Sequence, residues 1–139
     1  MSSKFKTTRR VEFSETDMAG IVHFSSFFRW MEEAEHEFFR SLGFSVNEVR
    51  NGEKIGWPRV KASCEYLKPA RFEDDLEIRL TVVRKSKKTF TFEFTFSLEG
   101  EDIARGNLKT VCCRCKPDGR IEPIPIPPEI DEKVVAHSD

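Results

Sequence analysis

The segment SETDMAGIVHF at positions 14–24 carries most of this chain's capacity for chemistry. It combines a carboxylate at Asp17, a flexible Gly20 and, from His23 to Ser26, the expected start of a helix. A helix start presents backbone N–H groups without partners and a partial positive charge. Aimed at a carbonyl oxygen, such groups form an oxyanion site. A neighbouring carboxylate then supplies a nucleophile or a general base. On residue types alone this signal is weak, because an Asp in a loop ahead of a helix more often caps or turns the chain.

Other groups have competing readings. Arg84, Lys85, Lys87 and Lys88 form a basic stretch that reads as a solvated turn or as a clamp for phosphate. Glu33 and His36 make a Glu-x-x-His step, but di-iron sites need two such steps plus carboxylates from other helices. With one long helix in prospect, the step reads as a solvated face. The four cysteines, Cys64, Cys112, Cys113 and Cys115, contain no Cys-x-x-Cys spacing. Three of them crowd one segment and read as small buried thiols on one strand face in preference to a metal site built on Cys113 and Cys115. The N-terminal MSSKFKTTRR has no apolar run behind it, so the chain is expected in the cytoplasm with its thiols reduced.

These residues must be placed by one domain, since 139 residues are too few for two ordinary cores. The 23 Lys and Arg nearly cancel 24 Asp and Glu, for a net charge of -1, which argues against nucleic acid as a bulk partner. No stretch approaches the roughly 20 apolar residues of a membrane helix. Phenylalanine is abundant, with 13 Phe against one Tyr and two Trp, and most of it must be buried.

Residues 5–13 alternate with period two and predict a strand. Phe24, Phe27, Phe28, Met31, Ala34, Phe38, Phe39 and Leu42 recur every three or four positions. That spacing predicts a long amphipathic helix stopped by Gly43. Its opposite face carries Glu32, Glu33, Glu35, His36, Glu37 and Arg40. Ser45 and Glu48 match a capping box and predict a short second helix ended by Asn51-Gly52. Four strands follow, around 59–66, 76–82, 90–98 and 103–116, with a bulge expected at Gly106. The apolar face of the first would hold Val60, Ala62, Cys64 and Tyr66. The proline-rich tail, 117–139, is expected to run extended over the surface. The fold class is α+β, two layers with a core over about 5–116 and the apolar sheet face against the helix stripe.

The run RRVEFSETDMAGIVHFSSFFRWMEEAEHEFFRSLG, positions 9–43, resembles the signature of the 4-hydroxybenzoyl-CoA thioesterase family of hot-dog fold acyl-CoA thioesterases. Asp17, the Ala19-Gly20-Ile21-Val22 turn, Phe24, Phe28 and Glu32 carry the likeness, with Pro69-Ala70 and Asp74-Asp75-Leu76 later. The resemblance implies an antiparallel five-stranded sheet wrapped around one long helix. It implies Asp17 as the catalytic carboxylate acting on a CoA thioester of an aryl or fatty acid. The backbone N–H of Phe24 would polarise the carbonyl, with His23 adjacent. Many relatives carry His at the position of Phe24 and Tyr at that of His23, so any oxyanion contact from position 24 must be backbone here. The resemblance implies Gly20 for the acyl site, Glu32, an acid in relatives too, for orienting the loop or facing the substrate pocket, and Arg84, Lys87 and Lys88 for the phosphates of coenzyme A. Trp57, just before a strand, reads either as a wall of the acyl pocket or as ordinary edge packing. The resemblance further implies a homodimer or homotetramer with the site at a subunit interface, and no cofactor beyond the CoA of the substrate. A non-hydrolytic acyl-thioester binding module and a dehydratase or hydratase of the same fold are the alternatives.

Overall fold

Alternation decides the centre of the molecule. Phe90, Phe92, Phe94 and Phe96 are separated by Thr or Glu, and all four rings are fully buried. The computed structural model describes residues 2–136. In chain order its elements are β1 (Lys4–Arg10), α1 (Ser26–Ser41), β2 (Glu48–Arg50), β3 (Glu53–Gly56), β4 (Arg59–Tyr66) and β5 (Asp75–Lys85). They continue with β6 (Thr89–Leu98), β7 (Glu101–Val111), β8 (Cys113–Cys115), β9 (Ile121–Pro123) and α2 (Pro128–Lys133). An antiparallel sheet takes the order β1-β5-β6-β7-β4, and a smaller one the order β2-β3-β8-β9.

The face of α1 that carries Phe27, Trp30, Met31, Ala34, Phe38 and Phe39 is buried in one core with the phenylalanines of β6. Each of the Phe and Met side chains contributes about 1.5–3 kcal/mol of burial. Gly106 is not at a bulge. It pairs regularly with Phe94 and Cys64, and the register shifts fall at Arg59/Lys61, Val82/Arg84 and Phe96/Ser97. Its lack of a side chain serves packing, since a Cβ there would lie 2.3 Å from the Met31 sulfur.

Several elements differ from the sequence expectation. The helix starts at Ser26, so Phe24 lies outside it and is 62% exposed. Glu35 is fully buried rather than solvated, because Arg59 reaches it from β4 and bonds both carboxylate oxygens, at 2.7 and 2.9 Å. No second helix forms at Ser45. The Ser45 amide does donate to Glu48, at 2.8 Å, but the chain runs on into β2. Asn51 and Gly52 both have positive φ, 52° and 77°, and make the two-residue hairpin turn that this dipeptide favours. The expected strand at 103–116 breaks at Cys112, whose amide turns to the Lys88 carbonyl, and the chain crosses to the smaller sheet.

The β4 strand does not bury its apolar residues. It is an edge strand, and Val60 and Tyr66 remain exposed. The tail is not a loose extension either. Alternating prolines leave the amides of Ile124 and Ile126 free to donate to Cys112 and Lys87, as an edge strand would. The α2 helix then follows, and Ile126, Ile130 and Val134 join the core. Lys85 Nζ donates to the carbonyls of Asp131 and Val134, at 3.1 and 3.0 Å, at the C-terminal end of α2.

Replacing Gly106 with alanine will push a methyl group into Met31, which is itself fully buried. Gly106→Ala is expected to lower stability by about 1–3 kcal/mol in urea unfolding. An unchanged midpoint would mean that α1 does not depend on this close approach.

Candidate active site

The loop from β1 to α1 is organised by Glu15, the last residue of a 3-10 turn at Phe13–Glu15. One carboxylate oxygen accepts bonds from Arg9, at 2.5 Å, and from the Trp30 indole, at 2.7 Å. The other accepts the Glu12 amide at 2.7 Å. The Glu15 carbonyl accepts the His23 amide and the Ser26 hydroxyl, at 2.8 and 3.0 Å. Burial pushes this carboxyl up, but its bonds from Glu12, Trp30 and Arg9 outweigh that and hold it below the ordinary value. A single buried residue therefore joins β1, the loop and the first turn of α1.

Asp17 projects from the loop this network holds. Its Oδ1 accepts the Ala19 amide at 2.8 Å, and its backbone closes a turn with Gly20 and Ile21. Gly20 has φ +80°, the left-handed conformation this turn needs. The other oxygen of Asp17 has no hydrogen-bond partner among the described residues. One carboxylate oxygen is thus held while the other stays available.

Asp17 opens on a cavity of about 440 Å³. Ile21, Val22, Phe24, Phe27, Tyr66, Leu67, Lys68, Pro69 and Ala70 complete its walls. Phe27 and Tyr66 meet edge to face, with centroids 5.4 Å apart. The Phe24 amide donates no hydrogen bond among the described residues. His23 stacks on the Phe24 ring at 4.6 Å, and its Nδ1 accepts the Ser25 amide at 3.2 Å. The cavity therefore combines an apolar wall with a carboxylate, and Phe24, whose amide is unpaired, is among the residues that line it.

The remaining candidates lie elsewhere in the same chain. Phe27 packs on Phe96, whereas Phe39 packs on Phe90 and Trp57, so the start and end of α1 lie at opposite ends of β6. Six residues of strand separate those ends, roughly 20 Å. Trp57 is buried against Phe90 at the far end. Glu32 pairs with Arg59 at 3.3 Å and lines a separate recess with Trp57 and His36. Arg84, Lys87 and Lys88 project at the β5–β6 turn, exposed and without an ion-pair partner among the described residues. Gly20 shapes the Asp17 turn but does not line the cavity. A larger concavity, about 730 Å³, lies on the smaller sheet. It holds none of these residues, and its Arg114 and Lys116 are paired with Glu53 and Glu122.

Two contributors escape a reading of the sequence. Glu15 stands two positions before Asp17 with nothing in its type to mark it as buried. Tyr66 left a trace, as the one tyrosine beside 13 phenylalanines. Among the described residues, no group of three His, Cys, Asp or Glu side chains is arranged to hold a metal ion. No helix among them is long and apolar enough to cross a membrane.

Comparison with known proteins gives a consistent result. The profile of the thioesterase-like superfamily matches residues 11–134. A protein of Aquifex aeolicus (strain VF5), provisionally named an esterase, is 42% identical over 118 residues, 84% of this chain and 88% of its own. A 1,4-dihydroxy-2-naphthoyl-CoA hydrolase of Synechococcus sp. (strain WH7803) is 32% identical over 117 residues, 79% of this chain and 76% of its own. The solved structure of a gentisyl-coenzyme A thioesterase is 35% identical, with a TM-score of 0.81 over 91% of this chain and 99% of its own.

The Glu15 network makes a prediction with a defined sign in pH. A carboxyl held below its ordinary 4.5 stabilises the fold fully above that pH, and the contribution is lost as pH falls through the native value. Glu15→Gln should cost about 1–3 kcal/mol at pH 7 in urea unfolding. The gap to wild type should narrow as the pH is taken below 4.5. A gap that widens in acid would show that the carboxylate is not the stabilised form.

Proposed function

The chain belongs to the thioesterase-like superfamily and hydrolyses thioesters of coenzyme A, and from that premise we propose that Asp17 and the Phe24 amide perform the chemistry on an aryl- or fatty-acyl-CoA. The observation that carries this reading is that Asp17 and Phe24, whose amide is unpaired, line one apolar cavity. The thioester carbonyl lies between them. The Phe24 N–H takes the developing oxyanion, which strengthens the bond as charge grows. The free oxygen of Asp17 attacks the carbonyl carbon and expels the CoA thiolate, and water then hydrolyses the resulting anhydride. Alternatively Asp17 takes a proton from water as that water attacks. Both routes consume one water and yield a carboxylic acid and the thiol of CoA. The aromatic edges of Phe27 and Tyr66 favour an aryl group over a flexible fatty chain, and the gentisyl and dihydroxynaphthoyl names of the relatives agree.

A second copy supplies the rest of the site. The free edge of β4, with Val60 and Tyr66 exposed, is an unpaired ladder that a second β4 can join. Antiparallel pairing across a two-fold axis sets the Tyr66 end of one strand beside the Arg59 end of the other. Arg59 faces Thr110, and Thr110 faces Phe90, so the basic turn belongs to the Arg59 end. Glu32, Trp57, Arg84, Lys87 and Lys88 of one copy thereby approach Asp17 of the other. Homodimer formation, or a tetramer of two such dimers, unites residues that one chain holds roughly 20 Å apart. We place the reaction in the cytoplasm, where all four cysteines remain free thiols.

Release of thiol from a panel of aryl- and alkyl-CoA thioesters tests this. Asp17→Asn should fold, bind substrate and lose about 10²–10⁴-fold in kcat. Wild-type kcat in that variant would remove Asp17 from the mechanism, and a wild type that releases no thiol from any member would remove the substrate class. For the clamp, the double variant Lys87→Ala, Lys88→Ala should raise KM for full CoA esters more than it lowers kcat. Esters of pantetheine, which lack the nucleotide phosphates, should show no such change. An unchanged KM for the CoA esters would place the phosphates elsewhere.

A further inference from the structure

The amide of Phe24 is useful as an oxyanion donor only if its peptide is fixed before substrate arrives. Two consecutive peptides determine its direction. In the peptide joining His23 to Phe24, the carbonyl accepts the Ser26 amide at 2.9 Å, and the N–H is the unpaired group. In the peptide joining Phe24 to Ser25, the N–H donates to His23 Nδ1 at 3.2 Å. The carbonyl of that second peptide accepts the Tyr66 hydroxyl at 2.9 Å. Three of the four polar groups around Phe24 are therefore held, and the fourth is free.

We infer that Tyr66, at the end of β4, is a positioning residue for the oxyanion donor, its hydroxyl fixing the peptide that follows the Phe24 amide while its ring walls the acyl cavity. The inference rests on the thioesterase reading given above and assigns it a residue outside the loop-to-helix segment. Packing does not explain the hydroxyl. Phenylalanine would meet the Phe27 ring equally well, and this chain uses Phe at 13 positions and Tyr at one. Tyr66 is 45% exposed, so its hydroxyl could have been left to water, and instead it reaches 42 residues back along the sequence to the Phe24 carbonyl. Burial pushes the phenol up to about 12, with a further rise from Cys64, so it stays a donor across the working range of pH. The same side chain contacts both the acyl pocket and the catalytic loop, which couples occupancy of the pocket to alignment of the donor.

The test compares wild type, Tyr66→Phe and Tyr66→Leu on one aryl-CoA thioester that the wild type hydrolyses. Loss of one hydrogen bond that acts in the transition state is expected to lower kcat about tenfold in Tyr66→Phe, with KM and thermal midpoint unchanged. The ratio of wild-type to variant kcat should be constant from pH 6 to 9, because a positioning donor exchanges no proton. Tyr66→Leu should show the same loss in kcat with a raised KM, since the ring is gone as well. Unchanged kcat in Tyr66→Phe overturns the inference and leaves the thioesterase reading standing. A raised KM at unchanged kcat also overturns it, by assigning the hydroxyl to substrate binding. A pH profile that loses a limb overturns it too, by making the phenol an acid or base. A wild type inactive on every CoA thioester fails the underlying reading, and the inference with it.

Discussion

A charged carboxylate inside the protein is costly unless each of its oxygens is bonded. Glu15 meets that condition with three donors drawn from three places: β1, the residue that precedes the 3-10 turn, and α1. Its own carbonyl then holds the amide of His23 and the hydroxyl of Ser26. The route of the loop is fixed by this requirement. If the loop moved, the carboxylate would lose Trp30 or Arg9 and remain buried. Asp17 and Phe24, on either side of a turn anchored to Glu15, inherit their separation from it. Asp17 and Phe24, the two residues proposed to carry the chemistry, lie near the surface and have few contacts of their own to place them.

A second buried carboxylate does comparable work at the other end of α1. Glu35 is pinned to Arg59, whose guanidinium also reaches Glu32. Burial pushes the Glu35 carboxyl up to about 7, against the pull of Arg59. What it secures is the edge strand β4 against the helix. That matters because β4 carries Tyr66 at one end and Arg59 at the other, and its open edge is where a second copy is proposed to pair. The two buried carboxylates thus anchor the two half-sites that such a pairing would bring together.

The sequence made some of this legible. The alternation of Phe90 to Phe96 marked β6, because period-two burial leaves an unmistakable pattern. The 3.6-residue stripe marked α1, and Asp17 could be picked out through its setting in a family-like segment. Other features were hidden for physical reasons. Ser45 and Glu48 make the local bond of a capping box, yet Asn51-Gly52 is a stronger hairpin signal and directs the chain into strands. The alternation of prolines with Ile124 and Ile126 was readable as one-sided hydrogen bonding, but only once a neighbouring strand edge was known. Glu15, Glu35 and Tyr66 owe their roles to partners 15, 24 and 42 residues away. No local periodicity carries such information. Gly106 is the same case, since its partner is a methionine on another element.

The proposed chemistry stands or falls on one geometry, in which the reacting carbonyl sits between the Asp17 carboxylate and the Phe24 amide. A crystal structure of the Asp17→Asn variant bound to an intact aryl-CoA tests it most directly. The thioester oxygen is expected about 2.7–3.1 Å from the Phe24 nitrogen, with the side chain at position 17 against the carbonyl carbon. The CoA phosphates are expected beside Lys87 and Lys88 of a second copy. An acyl group seated in the concavity of the smaller sheet, or a carbonyl turned away from Phe24, would contradict it.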